Sequence, residues 1–293
     1  MGVSVVTDST SCLSVPWAEQ AGLTVVPLHV VVAGTGSVSD REITPGEVAQ
    51  ILAAGRERVT TSRISPGEFV AAWRAVAERT GCEAIVSTHL SGAVSGTVET
   101  AELARDELAG ELVVEVVDSR VLGMALGYAA CSGGRVAAAG GGVEQVAAAV
   151  RARAEATRTL FYVDTLEHLR RGGRIGRAQA LLGSALAIKP LLTIREGVVA
   201  PQERVRTRAK ALRRLVDLAV DAVDQSAAAA DQDRTGTVEI AVHELGAREA
   251  AEALAVELAE RAGVDPEVVE LDPVVGVHTG PGTLAVVVAP EPR

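Results

Sequence analysis

Aromatic residues are almost missing from this chain: two Trp, two Tyr and two Phe stand among 293 residues. Proteins that bind single-stranded nucleic acid stack bases on such rings, and phosphate backbones call for a basic field. Here the formal net charge is -10 at pH 7, with 28 Lys and Arg against 38 Asp and Glu. Nucleic acid is excluded as the main partner, although a local basic patch remains compatible with the charge. Cysteine is scarce as well. Cys12, Cys82 and Cys131 form no CxxC pair, so neither a disulfide framework nor a cysteine metal site is expected. They read as small buried thiols of a reducing compartment.

Long hydrophobic runs are also lacking. The most apolar region, residues 121–150, is rich in Ala and Gly and interrupted by Arg135 and Glu144, too weak to span a bilayer. The start, MGVSVVTDST, has no basic region and reaches Asp8 after a very short apolar run. That is the pattern of a first strand rather than a signal peptide. Val6 stands where a myristoylation signal needs Ser or Thr. The expectation is a cytoplasmic protein without stable membrane insertion, making at most transient membrane contact.

What is there is an ordinary globular balance, 48% hydrophobic and 23% charged. Short Val-rich runs at 3–6, 24–32, 84–87 and 112–117 alternate with helical patterns at 45–54, 67–80, 92–108 and 124–139. This alternation predicts βαβ units and a parallel sheet, with ligands expected where strands end and loops begin. A linking helix is predicted over 143–156, and a second unit from about residue 157. It holds a strand (159–163), a hairpin (191–194 and 198–201), helices at 206–223 and 247–262, and strands at 237–242, 267–271 and 284–288. The hairpin predicts a mixed or antiparallel sheet there. Residues 224–236 read as a solvated loop. The fold class is thus α/β in two domains, 1–157 and 158–293.

Four small-residue turns could carry chemistry: TDSTSCL (7–13), TTSRISPGEF (60–69), STHLSG (87–92) and VHTGPGTL (277–284). Each places hydroxyls and glycines where a helix or strand begins or ends, and the free N–H groups at such points bind anions. Ser62, Ser65 and Ser91 also fit plain helix capping. Nucleotide loops of the GxxxxGK[ST] and GxGxxG types are absent. So is the GxSxG nucleophile elbow, since His89 stands where a Gly is needed. The five histidines show no HExxH or other metal spacing. In an acidic protein, Arg170, Arg171, Arg174 and Arg177 cluster around Gly172 and Gly173, which fits a solvated loop or a patch that docks an acidic partner.

These segments, in this order, resemble the DegV family of bacterial fatty acid-binding proteins. TDST stands at 7–10, and Thr61, Ser62, Pro66 and Phe69 form a TS…P…F block. LSG is 90–92, VxDS is carried by Val116, Val117, Asp118 and Ser119, and a GGRI…KP block spans 166–190. RTR..AL covers 206–212, and HTGPGT is intact at 278–283. The resemblance implies a fatty acid held between two α/β domains, its carboxylate gathered by Thr61, Ser62, Ser91, Gly92, His278 and Thr279, with Arg204 a further contributor. It also implies an apolar tunnel for the acyl chain, no cofactor besides that ligand, and no metal. Presentation to a separate ATP-dependent fatty acid kinase follows from the same resemblance, with Arg170, Arg171 and Arg174 on the docking surface. The family's acidic position after TDST is Cys12 here. The rival reading is a small-molecule hydrolase or transferase that uses Ser91 with His278.

Overall fold

The computed structural model describes residues 2–34, 36–55, 58–181, 189–229 and 237–291. Its strands run in chain order β1 (Val3–Asp8), β2 (Leu23–Val26), β3 (His29–Val32), β4 (Gly36–Ser39), β5 (Val59–Ser62), β6 (Ala84–His89), β7 (Val113–Asp118), β8 (Arg158–Tyr162), β9 (Lys189–Arg195), β10 (Val198–Val205), β11 (Val238–Glu244), β12 (Glu267–Glu270) and β13 (Leu284–Pro290). Its helices are α1 (Val15–Gln20), α2 (Pro45–Ala54), α3 (Pro66–Thr80), α4 (Thr97–Glu107), α5 (Met124–Ala138), α6 (Val143–Ala156), α7 (Glu167–Arg171), α8 (Arg208–Ala229), α9 (Arg248–Ala262) and α10 (Pro273–Thr279).

The N-terminal domain is built on a parallel sheet of order β2-β1-β6-β7. β6 is buried along its whole length, as a central strand covered on both faces must be. α3 starts at a capping box between Ser65 and Glu68 and turns Phe69, Val70, Trp73 and Val76 into the core, spaced as one helical face. A small antiparallel sheet, β4-β3-β5, stands beside it. The C-terminal domain carries a mixed sheet of order β10-β9-β8-β13-β11-β12, antiparallel except at the β11–β12 pair.

Three expectations change. The run 24–32 divides at Pro27 into β2 and β3, which belong to different sheets; proline has no N–H to continue the first ladder. The helix expected from residue 92 begins at Thr97, so 91–96 is free to form a turn. α8 continues to Ala229, so residues 224–229 of the expected loop are helical. Residues 230–236, and 182–188 of the GGRI…KP block, lie outside the described residues.

Two features bind the halves together. α10, late in the sequence, packs against α2, β3 and β5, and its Val274 and Val277 join the N-terminal core. Arg153 on α6 is fully buried and ion-pairs with Glu239 of β11; its Nη1 also lies 3.0 Å from Glu291, and its guanidinium carbon lies 5.8 Å from the centre of the Tyr128 ring. Removing one partner of a buried ion pair strands the rest. Because Glu239 and Glu291 are partly exposed, Arg153→Ala is expected to cost about 2–4 kcal/mol rather than more. Chemical denaturation measures this, and a loss under about 1 kcal/mol contradicts the role.

Candidate functional site

A cavity of about 90 Å³ lies between the mixed sheet and the N-terminal loops and α10 that face it. That is several times what one water needs. Its walls are largely aliphatic: Leu90 and Leu122 from N-terminal loops, Leu169 from α7, Ile194 and Val199 from the hairpin, Val275 from α10. Phe161 and Ala285, register partners on β8 and β13, lie along the wall formed by the mixed sheet. Polar side chains lining it include Thr61, Ser95, Arg174, His278 and Thr279.

Thr61 and His278 meet although 217 residues separate them: Thr61 Oγ1 and His278 Nε2 share a hydrogen bond of 3.0 Å. Strand alternation explains why Thr61 is the one of the TS pair that lines the cavity. Ser62, next along β5, is exposed and approaches Ser37 at 3.5 Å. α10, capped at its start by Asp272, carries His278 to β5; Asp272 Oδ1 accepts from Val274 N at 2.8 Å. Burial, with some help from the Arg174 cation, pushes the His278 pKa down to about 4, so at neutral pH its ring is uncharged. Its Nδ1 is buried with no partner among the described residues. The first glycine of GGRI is there for His278: a Cβ on Gly172 would collide with that Nδ1.

Of the other expected residues, some line the cavity and some do not. Ser91 is fully buried, but its hydroxyl donates to the carbonyl of Gly197 in the β9–β10 turn at 2.8 Å, and it does not line the cavity. Gly92 gives its N–H to Asp118 at 3.1 Å. Thr279 lines the cavity with a buried hydroxyl that has no partner among the described residues. Arg204 is exposed on β10 and is not among the residues lining the cavity. Arg170 and Arg171 are exposed, but both pair with Glu167 at 2.7 Å; bonds from Arg170, then Arg171, hold the Glu167 carboxyl down to about 2. Arg174 is half-buried and lines the cavity instead of standing out in solvent. Sequence reading passed over Ser95 and His243. His243 is a neutral wall group: Nε2 accepts from Met124 N at 2.9 Å, Nδ1 pairs with Val269 O at 3.1 Å, and burial takes it to about 4.

No nucleophile–base pair forms between Ser91 and His278, because one is committed to Gly197 and the other to Thr61. A constellation of the Ser–His–Asp kind does exist elsewhere. Ser87 Oγ lies 2.8 Å from His89 Nε2, and His89 Nδ1 lies 3.1 Å from Asp8 Oδ2. All three are fully buried, and Trp73 Nε1 donates to Ser87 Oγ at 3.1 Å. No substrate reaches such a serine. The chain of bonds instead fixes the ends of β1 and β6, and Asp8 also accepts from Leu90 N at 3.0 Å, at the start of the LSG turn. Among the described residues no three His, Cys, Asp or Glu side chains are placed to hold a metal, and no helix is long and apolar enough to cross a membrane.

Asp272, beneath α10, has the opposite titration. Burial and the nearby Asp40 carboxylate raise it to about 8 from 3.8. The folded state therefore keeps a proton that the unfolded chain releases, and stability falls as pH rises toward 8. His278 and His243, lowered from 6.5 to about 4, lose stability in the other direction, as pH falls below 6.5. Asp272→Asn keeps an oxygen for Val274 N–H, so it is expected to flatten the decline between pH 6.5 and 8 while leaving the acid-side decline. Denaturant midpoints across that range test this; an unchanged alkaline decline contradicts it.

Comparison with known proteins shows the family. The family model described as "Uncharacterised protein, DegV family" matches residues 2–291. A DegV domain-containing protein of Streptomyces coelicolor is 45% identical over 289 residues, 98% of each chain. One from Mycobacterium tuberculosis is 35% identical, covering 98% of this chain and 97% of the relative. Among solved structures, a DegV family protein from Thermus thermophilus described for its fatty acid binding superposes with a TM-score of 0.87 at 34% identity, over 99% of this chain and 100% of that one. DegV from Bacillus subtilis, described as a fatty acid binding protein, gives 0.85 at 28% identity over 99% of both. With a two-domain α/β architecture and a family match along nearly its whole length, this chain belongs to the DegV family.

Proposed function

We propose that this protein binds a long-chain fatty acid in the cavity between a domain of residues 1–157 and one of residues 158–293. The carboxylate lies at the Thr61–His278 end. The single observation that carries this reading is a neutral, buried histidine hydrogen-bonded to a threonine on the wall of a largely aliphatic cavity. In the uncharged tautomer that carries its proton on Nε2, His278 donates to Thr61 Oγ1 and leaves the threonine hydroxyl hydrogen free for an anion. A buried carboxylate needs several donors of this kind, and the Thr279 hydroxyl also lines the cavity. The acyl chain contributes about 0.8 kcal/mol per buried CH₂ along the aliphatic walls. The Thermus thermophilus and Bacillus subtilis relatives, described as binding fatty acid, support the same ligand.

In this proposal the protein is a carrier, and a separate ATP-dependent kinase phosphorylates the presented carboxylate in the cytoplasm. Arg170 and Arg171 are the exposed cations suited to meeting it, tempered by their shared Glu167. Ser91, whose hydroxyl donates to Gly197 O, holds the loop rather than the carboxylate.

Native mass spectrometry before and after organic extraction is expected to show a removable mass equal to a long-chain fatty acid. A protein that neither carries nor takes up such an acid would falsify the proposal. Thr61→Val removes one donor at close to constant volume. It is expected to weaken binding by about 1–3 kcal/mol, roughly 5- to 150-fold, in a fatty acid displacement assay. Unchanged affinity takes Thr61 out of the site.

A further inference from the structure

Arg174 is bound in a way that a docking cation is not. Its Nε donates to the carbonyl of Val94 at 2.9 Å, across 80 residues, and its Nη1 donates to the carbonyl of Gly172 at 2.6 Å. The first bond joins the C-terminal domain to the turn that follows LSG in the N-terminal domain. Val94 and Ser95 of that turn line the cavity, as do Arg174 and His278. Gly172, at the other end of the bridge, is the residue packed against His278. One guanidinium therefore spans the cover of the cavity at the histidine end. Its rigid fork of donors is suited to holding two carbonyls at once, which a lysine ammonium on a flexible stem is not.

A second tie crosses between the same turn and the C-terminal domain. Ser91 Oγ donates to Gly197 O, and a Cβ on Gly197, which sits at φ +79°, would collide with Ser91 Oγ. Apart from these ties the turn is held from within its own domain: Asp118 Oδ1 accepts from Gly92 N at 3.1 Å, and Ser91 N donates to Val121 O at 2.9 Å. The turn 91–96 is thus anchored at its start by its own domain. Farther along, at Val94, Arg174 of the opposite domain donates to the backbone carbonyl. Val94 and Ser95 form part of the cavity wall, so the position of the turn bears on the passage of a long ligand.

We propose that Arg174 is a positioning residue that latches the 91–96 turn over the cavity, and that breaking its bond to Val94 is the step that admits and releases the fatty acid. This rests on the fatty acid reading above. The latch predicts a change in rates in both directions: loosening the turn speeds entry and exit together, so affinity moves far less than either rate. A simple counter-charge for the carboxylate predicts something else, faster release with unchanged entry, and rescue by any cation.

Stopped-flow fluorescence with parinaric acid, a fluorescent long-chain fatty acid, separates these outcomes for the wild type, Arg174→Ala and Arg174→Lys. The expected result is that both variants take up and release the probe about tenfold faster or more, with Kd changed less than either rate. Arg174→Lys restoring wild-type rates, or Arg174→Ala changing release alone, overturns the latch. A thermal melt of each variant separates a loosened turn from an unfolded domain. Should the variants melt early, the wild type decides by its uptake at increasing probe concentration: saturation at a plateau rate supports an opening step, and linear growth without limit overturns it. A wild type that binds no probe at all overturns the fatty acid reading and the latch with it, whereas binding with unchanged variant rates overturns the latch alone.

Discussion

The hydrogen bond between Thr61 and His278 is the constraint around which the molecule is arranged. A histidine kept neutral by burial can serve a buried anion only through a fixed donor geometry, and here that geometry is assembled from opposite ends of the chain. Asp272 caps α10, α10 lies on the small antiparallel sheet, and β5 of that sheet presents Thr61. The glycine at 172 then allows the GGRI turn to close against the histidine. Each of these serves one contact. The small sheet β4-β3-β5, peripheral to either large sheet, supplies the platform on which the two domains share a site.

The rest of the interior divides its polar groups by accessibility. Asp8, His89, Ser87 and Trp73 form a complete chain of hydrogen bonds with no exposure, which turns a catalytic-looking set into a brace for two loop starts. Of the polar atoms that line the cavity, three, the Thr159 hydroxyl, His278 Nδ1 and the Thr279 hydroxyl, are buried without a partner among the described residues. Native interiors rarely leave such groups without partners, and they concentrate at functional places. The brace is rigid where no chemistry occurs. The cavity around His278 is less saturated, and the neighbouring 91–96 turn is tied to the C-terminal domain through Arg174 and Ser91.

Much of the architecture was legible in the sequence because hydrophobic period and turn chemistry agreed with the fold. The βαβ alternation led to the parallel sheet, and the Arg195-Glu196-Gly197 turn to the β9–β10 hairpin. The small sheet was not legible: β5 is a short Val-Thr-Thr-Ser run that reads equally as a helix approach, and β3 was fused to β2 across Pro27. α10 was missed since Pro-Val-Val-Gly-Val has a strand-like composition, although Asp272 followed by Pro273 is a helix-start signal. The resemblance names Thr61, His278 and Thr279, all three of which line the cavity, and alternation along β5 separates Thr61 from Ser62. Nothing in local pattern tells that Ser91 turns to Gly197 or that Arg174 turns inward to Val94, since both depend on how two domains meet.

The most direct measurement is a crystal structure of the purified protein with its lipid retained. The account predicts a single extended acyl chain along Phe161, Ile194 and Val199, with a carboxylate oxygen within about 3 Å of Thr61 Oγ1. A chain lying in the reverse direction, with its carboxylate remote from Thr61 and His278, would contradict it.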